Sequence, residues 1–429
     1  MTTPSDDFEA RMGRREFIVL ISMLMALTAL AIDMMLPAFG DMRAEFGLTA
    51  ESNAVALVVT VLFIGLGVGQ LIWGPLADAL GRKRVLWAGL LIYIVAAIGG
   101  ALAPSLEVLL FTRLVAGFGA AGVRIITHGA IRDRYHGDEM AKMLSYIMAV
   151  FILVPMVAPS LGSVVLAFGS WRWVFASFAV AAAVMAAWAL RLPETLPPER
   201  RIALDLSAMV EAARAVLGSS FARGFTLAQM LVFGFFSSYL ASSQLIISDA
   251  FDMAEWFPLI FGASSLVMGL ATLTNSRLID RFGLRHMVRY ALSGYLVASV
   301  AFVIIAAATG GRAPFWLYLL GIVPVLLMHS FTMPNVNSAA MMPMGRVAGT
   351  AAAIIGATAT LGGALIGALI DAAYDGSITP MAVAGLVVAL LAFVLARRSD
   401  TDWERDAERQ VLTPEEQLQA AAAAPIEVA

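Results

Sequence analysis

The 429-residue chain is 60% hydrophobic and only 14% charged, whereas soluble domains average about 25% charged residues. That composition excludes an ordinary soluble fold and points to a membrane protein. There are no cysteines, and the four histidines (His128, His136, His286, His329) are scattered. Disulfides, thiolate chemistry and a multi-histidine metal centre are therefore not expected.

In chain order the apolar runs are Phe17–Pro37, Asn53–Ala77, Val85–Ala103, Leu106–Ala130, Leu144–Ala167, Trp173–Leu192, Phe221–Ile247, Trp256–Leu273, Met287–Ala308, Pro314–Pro334, Ala348–Asp371 and Pro380–Ala396. Each approaches the roughly 20 residues that a helix needs to cross about 30 Å of hydrocarbon. None shows the two-residue alternation of a porin-like barrel. The expectation is an all-α membrane protein with twelve transmembrane helices in two pseudo-symmetric six-helix bundles. Its parts are a cytoplasmic tail (1–16), a first bundle (17–192), a linker (193–220), a second bundle (221–397) and a second cytoplasmic tail (398–429).

All but five of the 28 basic residues fall in the tails and the even-numbered connections. Arg43, Arg172 and Arg312 lie at the opposite face, and Arg113 and Arg124 lie inside the fourth span. By the positive-inside rule both termini are cytoplasmic. GRREFIVL at Gly13–Leu20 also resembles a twin-arginine export signal, but no small-residue cleavage site follows and eleven further spans do. Arg14 and Arg15 then read as the flank of an uncleaved first helix.

GPLADALGRKR at Gly74–Arg84 has a weaker counterpart in SRLIDRFGLRH at Ser276–His286. Both follow the second span of their half, and the alignment pairs Leu76 with Leu278, Asp78 with Asp280 and Gly81 with Gly283. A duplicated six-helix unit leaves such a repeat. In physical terms Gly74 removes a side chain where another helix comes close, Gly81 permits a tight turn, and Asp78 can pair with Arg82 or face a helix N-terminus. The run is either a latch that breaks in another state or a topology anchor.

Here the sequence resembles the major facilitator superfamily, through Gly74, Leu76, Asp78, Gly81 and the basic run Arg82–Arg84. The segments AIDMMLPAF (Ala31–Phe39), GQLIWGPLAD (Gly69–Asp78), AIRD (Ala130–Asp133), WRWVF (Trp171–Phe175) and LPETL (Leu192–Leu196) are similar to drug:proton antiporters of the bicyclomycin and chloramphenicol resistance group. The resemblance is dense in the first half and thin in the second. It implies that the Asp78 loop latches the cytoplasmic side, and that VPMVAPSLGS at Val154–Ser163, with Pro155, Pro159 and Gly162, corresponds to the antiporter motif. In this chain that motif has Ala158-Pro159 and Gly162-Ser163 where Gly-Pro and Gly-Gly are usual; by itself the stretch reads equally as a structural bend.

Arg113 in TRLVAGFGAAG matches a further motif of the family, although Ala116 replaces its glutamine. A charge within a span costs about 2.5–3.5 kcal/mol on insertion scales, so Arg113 must face the bundle interior and have a partner. Asp33 is the only acid inside the first span, at the same depth as Arg113. The pair reads either as a proton-coupling site or as a structural ion pair, and the resemblance favours the former. Arg124 returns to nearly the same helix face as Arg113, with His128 one turn beyond; the two read either as interior-facing residues or as residues snorkelling from the cytoplasmic end. Asp33, Arg113, Tyr239 and His329 are the expected substrate-cavity residues, with Asp371 a further titratable group.

The expected function is alternating-access export of amphiphilic, drug-like small molecules in exchange for protons, from a bacterial inner membrane and by a monomer in contact with lipid. Alternatives are an uptake carrier, a dedicated metabolite exporter or a non-transporting ligand sensor. No ATP site (GxxxxGK[ST]), no HExxH or GxSxG motif, no cofactor, no metal and no nucleic-acid partner is expected.

Overall fold

The computed structural model describes residues 12–49, 52–135, 137–204 and 206–411. His136 and the tail beyond residue 411 lie outside the described residues. Long helices dominate: α1 (Arg14–Asp33), α2 (Leu57–Leu80), α3 (Arg82–Ala101), α4 (Leu106–Arg134), α5 (Gly137–Ala167), α6 (Arg172–Ala189), α7 (Ser220–Leu245), α8 (Phe257–Phe282), α9 (Leu284–Ala308), α10 (Phe315–Met341), α11 (Ala348–Ala372) and α12 (Thr379–Val411). Among the described residues eleven helical segments are long and apolar enough to cross a membrane. The remaining expected span falls within the 31-residue α5, whose Leu153–Ala167 stretch is a shorter apolar segment.

The first helix differs from the apolar run read as Phe17–Pro37. It leaves α-geometry at Asp33, passes through a tight turn at Leu36–Ala38, and resumes as a short helix over Phe39–Glu45. Pro37 dictates the break: it has no N–H to donate to the preceding turn and so sits at the start of a new one. Between the halves lies the helix Leu206–Gly218, packed on α11 and α7.

α1 to α6 pack chiefly with one another, as do α7 to α12, and the two sets meet along α2/α11, α5/α8 and α2/α7. Backbone closeness comes from glycine. A Cβ at Gly65 or Gly117 would strike the carbonyl of Leu114 or Leu62, so α2 and α4 touch main chain to main chain. At Gly162 of α5 the obstruction is the carbonyl of Met34, immediately after Asp33. α5 remains helical through Pro155 and Pro159.

The repeated loop has the same backbone twice. Gly81 (φ 94°) caps α2 and Gly283 (φ 77°) caps α8, each in the left-handed region and each followed at once by the next helix. Gly74, in contrast, faces open space: no atom lies within 4 Å of the position a Cβ would take. The close approach expected there is therefore not present.

Gly117→Leu should therefore force α2 and α4 apart, an overpacking cost of about 1–3 kcal/mol. Thermal unfolding of the detergent-solubilised protein should fall by several degrees, whereas Gly74→Ala should leave the midpoint within about 1 °C.

Candidate functional site

The loop residues and two distant segments form one cluster on the face that carries the linker. Buried Arg82 pairs through Nη1 with Asp78 at 2.7 Å and through Nε with Asp133 at 2.8 Å. Glu194 accepts the backbone N–H groups of Arg82 (2.9 Å) and Lys83 (3.2 Å), and the N–H of Ile202 donates to the carbonyl of Asp78 at 3.1 Å. AIRD and LPETL are thus the supports of Arg82, which no single segment reveals. In the second half the equivalent loop is organised differently: Arg285 and Arg289 converge on Asp400 of α12 at 3.1 and 2.5 Å.

At the opposite face the two halves are tied directly. Arg43 forks onto Asp249 at the end of α7, with three contacts of 3.1–3.2 Å. Asn53 donates to Ser242 Oγ (3.1 Å) and to the carbonyl of Asp371 (3.0 Å), while Ser238 and Ser242 donate to Asp371 Oδ1 at 2.5 and 2.7 Å. Halfway along the helices Gln70 donates to Thr360 Oγ1 at 3.2 Å. Sequence reasoning left Arg43 and Asn53 unassigned, because their partners lie about 200 or more residues away. Trp171 and Arg172, from the WRWVF segment, hold Glu45 at the same face.

Between the ties and the linker face lies a cavity of about 400 Å³. Asp33, Thr28 and Met25 of α1 line it, with Phe63 and Leu66 of α2, Arg124 and His128 of α4, Pro155 of α5, Phe233, Phe236 and Tyr239 of α7, and Phe261 and Met268 of α8. One wall is a continuous ring series: His329 stacks on Phe236 at 4.5 Å, Phe236 on Tyr239 at 6.4 Å, and Tyr239 on Phe261 at 6.1 Å. Asp33 lies within electrostatic reach of Tyr239. Such a chamber can hold an amphiphile of drug size against aromatic faces, with a carboxylate at its inner end.

Two expected cavity residues are placed otherwise. Arg113, 2% exposed, donates through Nη2 to the carbonyl of Ala31 at 2.6 Å and through Nε to that of Val58 at 3.2 Å, with its guanidinium 5.6 Å from the Phe175 ring. It sits behind α1 and forms no ion pair with Asp33. His329 is likewise covered by the Phe236 ring. Of the two readings of Arg124 and His128, the structure has the interior-facing one: both line the cavity. Their spacing of four on one helix was the available signal. Among the described residues no cluster of metal-ligating side chains occurs.

The sequence matches the family described as Major Facilitator Superfamily over residues 19–368. It is 27% identical to a bicyclomycin resistance protein homolog of Haemophilus influenzae over 88% of this chain and 95% of that one. To a chloramphenicol resistance protein of Pseudomonas aeruginosa it is 29% identical, over 85% of each. In structure it is similar to the xylose transporter XylE of E. coli in a partially occluded inward open conformation, with a TM-score of 0.70 at 14% identity over 89% of this chain and 97% of that one.

If the Arg43–Asp249 fork helps hold this face shut, spin labels at Gly40→Cys and Glu255→Cys will report it, a clean assay in a chain without native cysteine. Arg43→Ala should shift the distances longer, and Arg43→Asp combined with Asp249→Arg should restore them. The coupling between the two sites should be about 0.5–3 kcal/mol.

Proposed function

The chain belongs to the Major Facilitator Superfamily, a family of membrane transporters, and from that premise we propose that it exports amphiphilic, drug-like small molecules in exchange for protons by alternating access. The observation that carries this reading is the aromatic-walled cavity between the halves with the single acid Asp33 in its lining. The names of the relatives, which speak of bicyclomycin and chloramphenicol resistance, support efflux.

In this reading both termini and the linker face the cytoplasm of a bacterial inner membrane, in accord with the distribution of basic residues. The present conformation then opens toward the cytoplasm and is closed outside by Arg43–Asp249 and Asn53. Substrate enters from the cytoplasm and lies against Tyr239 and Phe236. The halves, residues 17–192 and 221–397, rock about α2/α11 and α5/α8, and Asp33 takes a proton from outside as substrate leaves. A carboxylate that must serve both partners in turn makes their occupancy mutually exclusive, which is what exchange requires. Arg113 acts on Asp33 indirectly, by fixing the end of α1. Pro155, Pro159 and Gly162 hold α5 against that same end.

Asp33→Asn should abolish gradient-driven export from liposomes while ligand binding persists. Ligand binding to the wild type should release protons into weakly buffered solution, and the variant should release few or none. Full proton release and uphill flux in Asp33→Asn would place the coupling elsewhere.

The Asp78–Arg82 cluster is proposed as the latch of the cytoplasmic side. Here Asp78 is spent on Arg82 within its own half. Asp78→Asn should leave ligand affinity within about twofold but slow transport and shift the distance distribution between the cytoplasmic ends. An unchanged distribution with normal flux would reduce the loop to a topology anchor.

A further inference from the structure

We infer that Arg124 and His128 form an anion-recognition end of the cavity, so that the substrates are amphiphilic organic anions, an aromatic or aliphatic body carrying a carboxylate or sulfonate group. This rests on the reading of the cavity as the substrate site and adds its chemical class.

Arg124 sits ten residues before the end of α4 at Arg134, about 15 Å of helix. A snorkelling arginine carries its head out to interfacial water, whereas this one lines the cavity together with Met25, Leu66, Pro155 and Phe233. Among the described residues no carboxylate or carbonyl accepts from its guanidinium, in contrast to Arg113, Arg82 and Arg43, each of which has oxygen partners. His128, one turn on, adds a second nitrogen donor on the same wall. Among the described lining residues Arg124 is the only permanent cation and Asp33 the only acid.

The two charges occupy opposite ends. Asp33 lies at the depth of Arg113, whose guanidinium grips Ala31, and Arg124 follows Arg113 by eleven residues, about 16 Å along α4. A ligand that offers an oxyanion to Arg124 therefore lays its apolar body along Phe236 and Tyr239, with its far end at Asp33. Arg124 is exposed to the cavity, and an unpaired guanidinium that faces apolar walls gains more from an anion than one on the open protein surface does, while its planar fork suits the paired oxygens of carboxylate or sulfonate. Neutral ligands leave that charge without a partner.

The test uses the purified full-length protein and two matched probes, 2-naphthalenesulfonate and the neutral 2-naphthalenesulfonamide, with binding measured by calorimetry. Wild type should bind the sulfonate at least about tenfold more tightly, the gap expected of one charge-assisted contact. Arg124→Gln should bring the two probes to within about twofold by weakening the sulfonate alone, and Arg124→Lys, which keeps the charge without the fork, should retain an intermediate preference. Gly269→Trp, which fills the cavity wall, should weaken both. If the wild type binds both probes equally, or if the preference for sulfonate survives in Arg124→Gln, the anion inference falls while the cavity reading stands. If Gly269→Trp changes neither affinity, or neither probe binds the wild type, the cavity reading falls and takes the inference with it.

Discussion

The grip of Arg113 on two main-chain carbonyls sets the geometry of the first half. α1 ends at Asp33 because Pro37 cannot continue it, and the carbonyls of its last turn lose their partners in a region where water cannot replace them. The guanidinium satisfies that of Ala31 and, through Nε, reaches Val58 in the first turn of α2. One buried cation thereby joins three helices. It also places positive charge beside the negative end of the α1 dipole, where Asp33 would otherwise meet only repulsion. The rotation of α1 that this fixes is what turns Asp33 toward the cavity.

The two faces of the molecule use their charges in opposite ways. At the linker face, Arg82 is held by Asp78 and Asp133, and Arg285 and Arg289 by Asp400, each set inside one half. At the other face, Arg43 and Asn53 reach across to Asp249, Ser242 and Asp371. The middle of the seam relies on small residues: a Cβ at Gly67 or Gly262 would meet Leu361 or the carbonyl of Met156. Small residues allow the helices to lie close with few directional bonds to break. Polar ties concentrated at one end, with the single Gln70–Thr360 bond described in the middle, are what a seam needs if it is to open like a hinge.

How much of this the sequence reveals depends on the kind of information each feature needs. The duplicated loop and the left-handed glycines at 81 and 283 follow from local pattern, and the structure has them, while of the twelve expected spans eleven are long and apolar enough among the described residues. The depth of Asp33 and Arg113 was also legible, since depth is a count of residues. Their direction was not. Whether a side chain faces a cavity or a neighbouring helix depends on the rotation of the helix, which is set by contacts far away in the chain. Hence Arg113 turned out to bind backbone, His329 lies behind Phe236, and Arg124 and His128 face inward. Gly74 has no neighbour at the position of a Cβ, contrary to the expectation. Arg43–Asp249 needs pairing across 206 residues, for which a single sequence carries no signal.

The placement of Arg124 bears on how substrate and conformation are linked. In the present state the cavity holds an arginine that is open toward the linker face and has no oxygen partner among the described residues. Closing that face around an empty cavity would cut the guanidinium off from water with nothing to replace it, a cost that opposes closure. An anionic occupant supplies the missing oxygens and removes that cost, so the occupied cavity closes more readily than the empty one. Asp33 imposes the complementary condition at the inner end, where closure around an unprotonated carboxylate would likewise remove a charge from water without a partner. A ligand shifts such an equilibrium only by its difference in affinity for the two states. An unpaired cation at the mouth and a lone acid at the depth create that difference at both ends, and so make uncoupled closure unfavourable without any contact dedicated to preventing it.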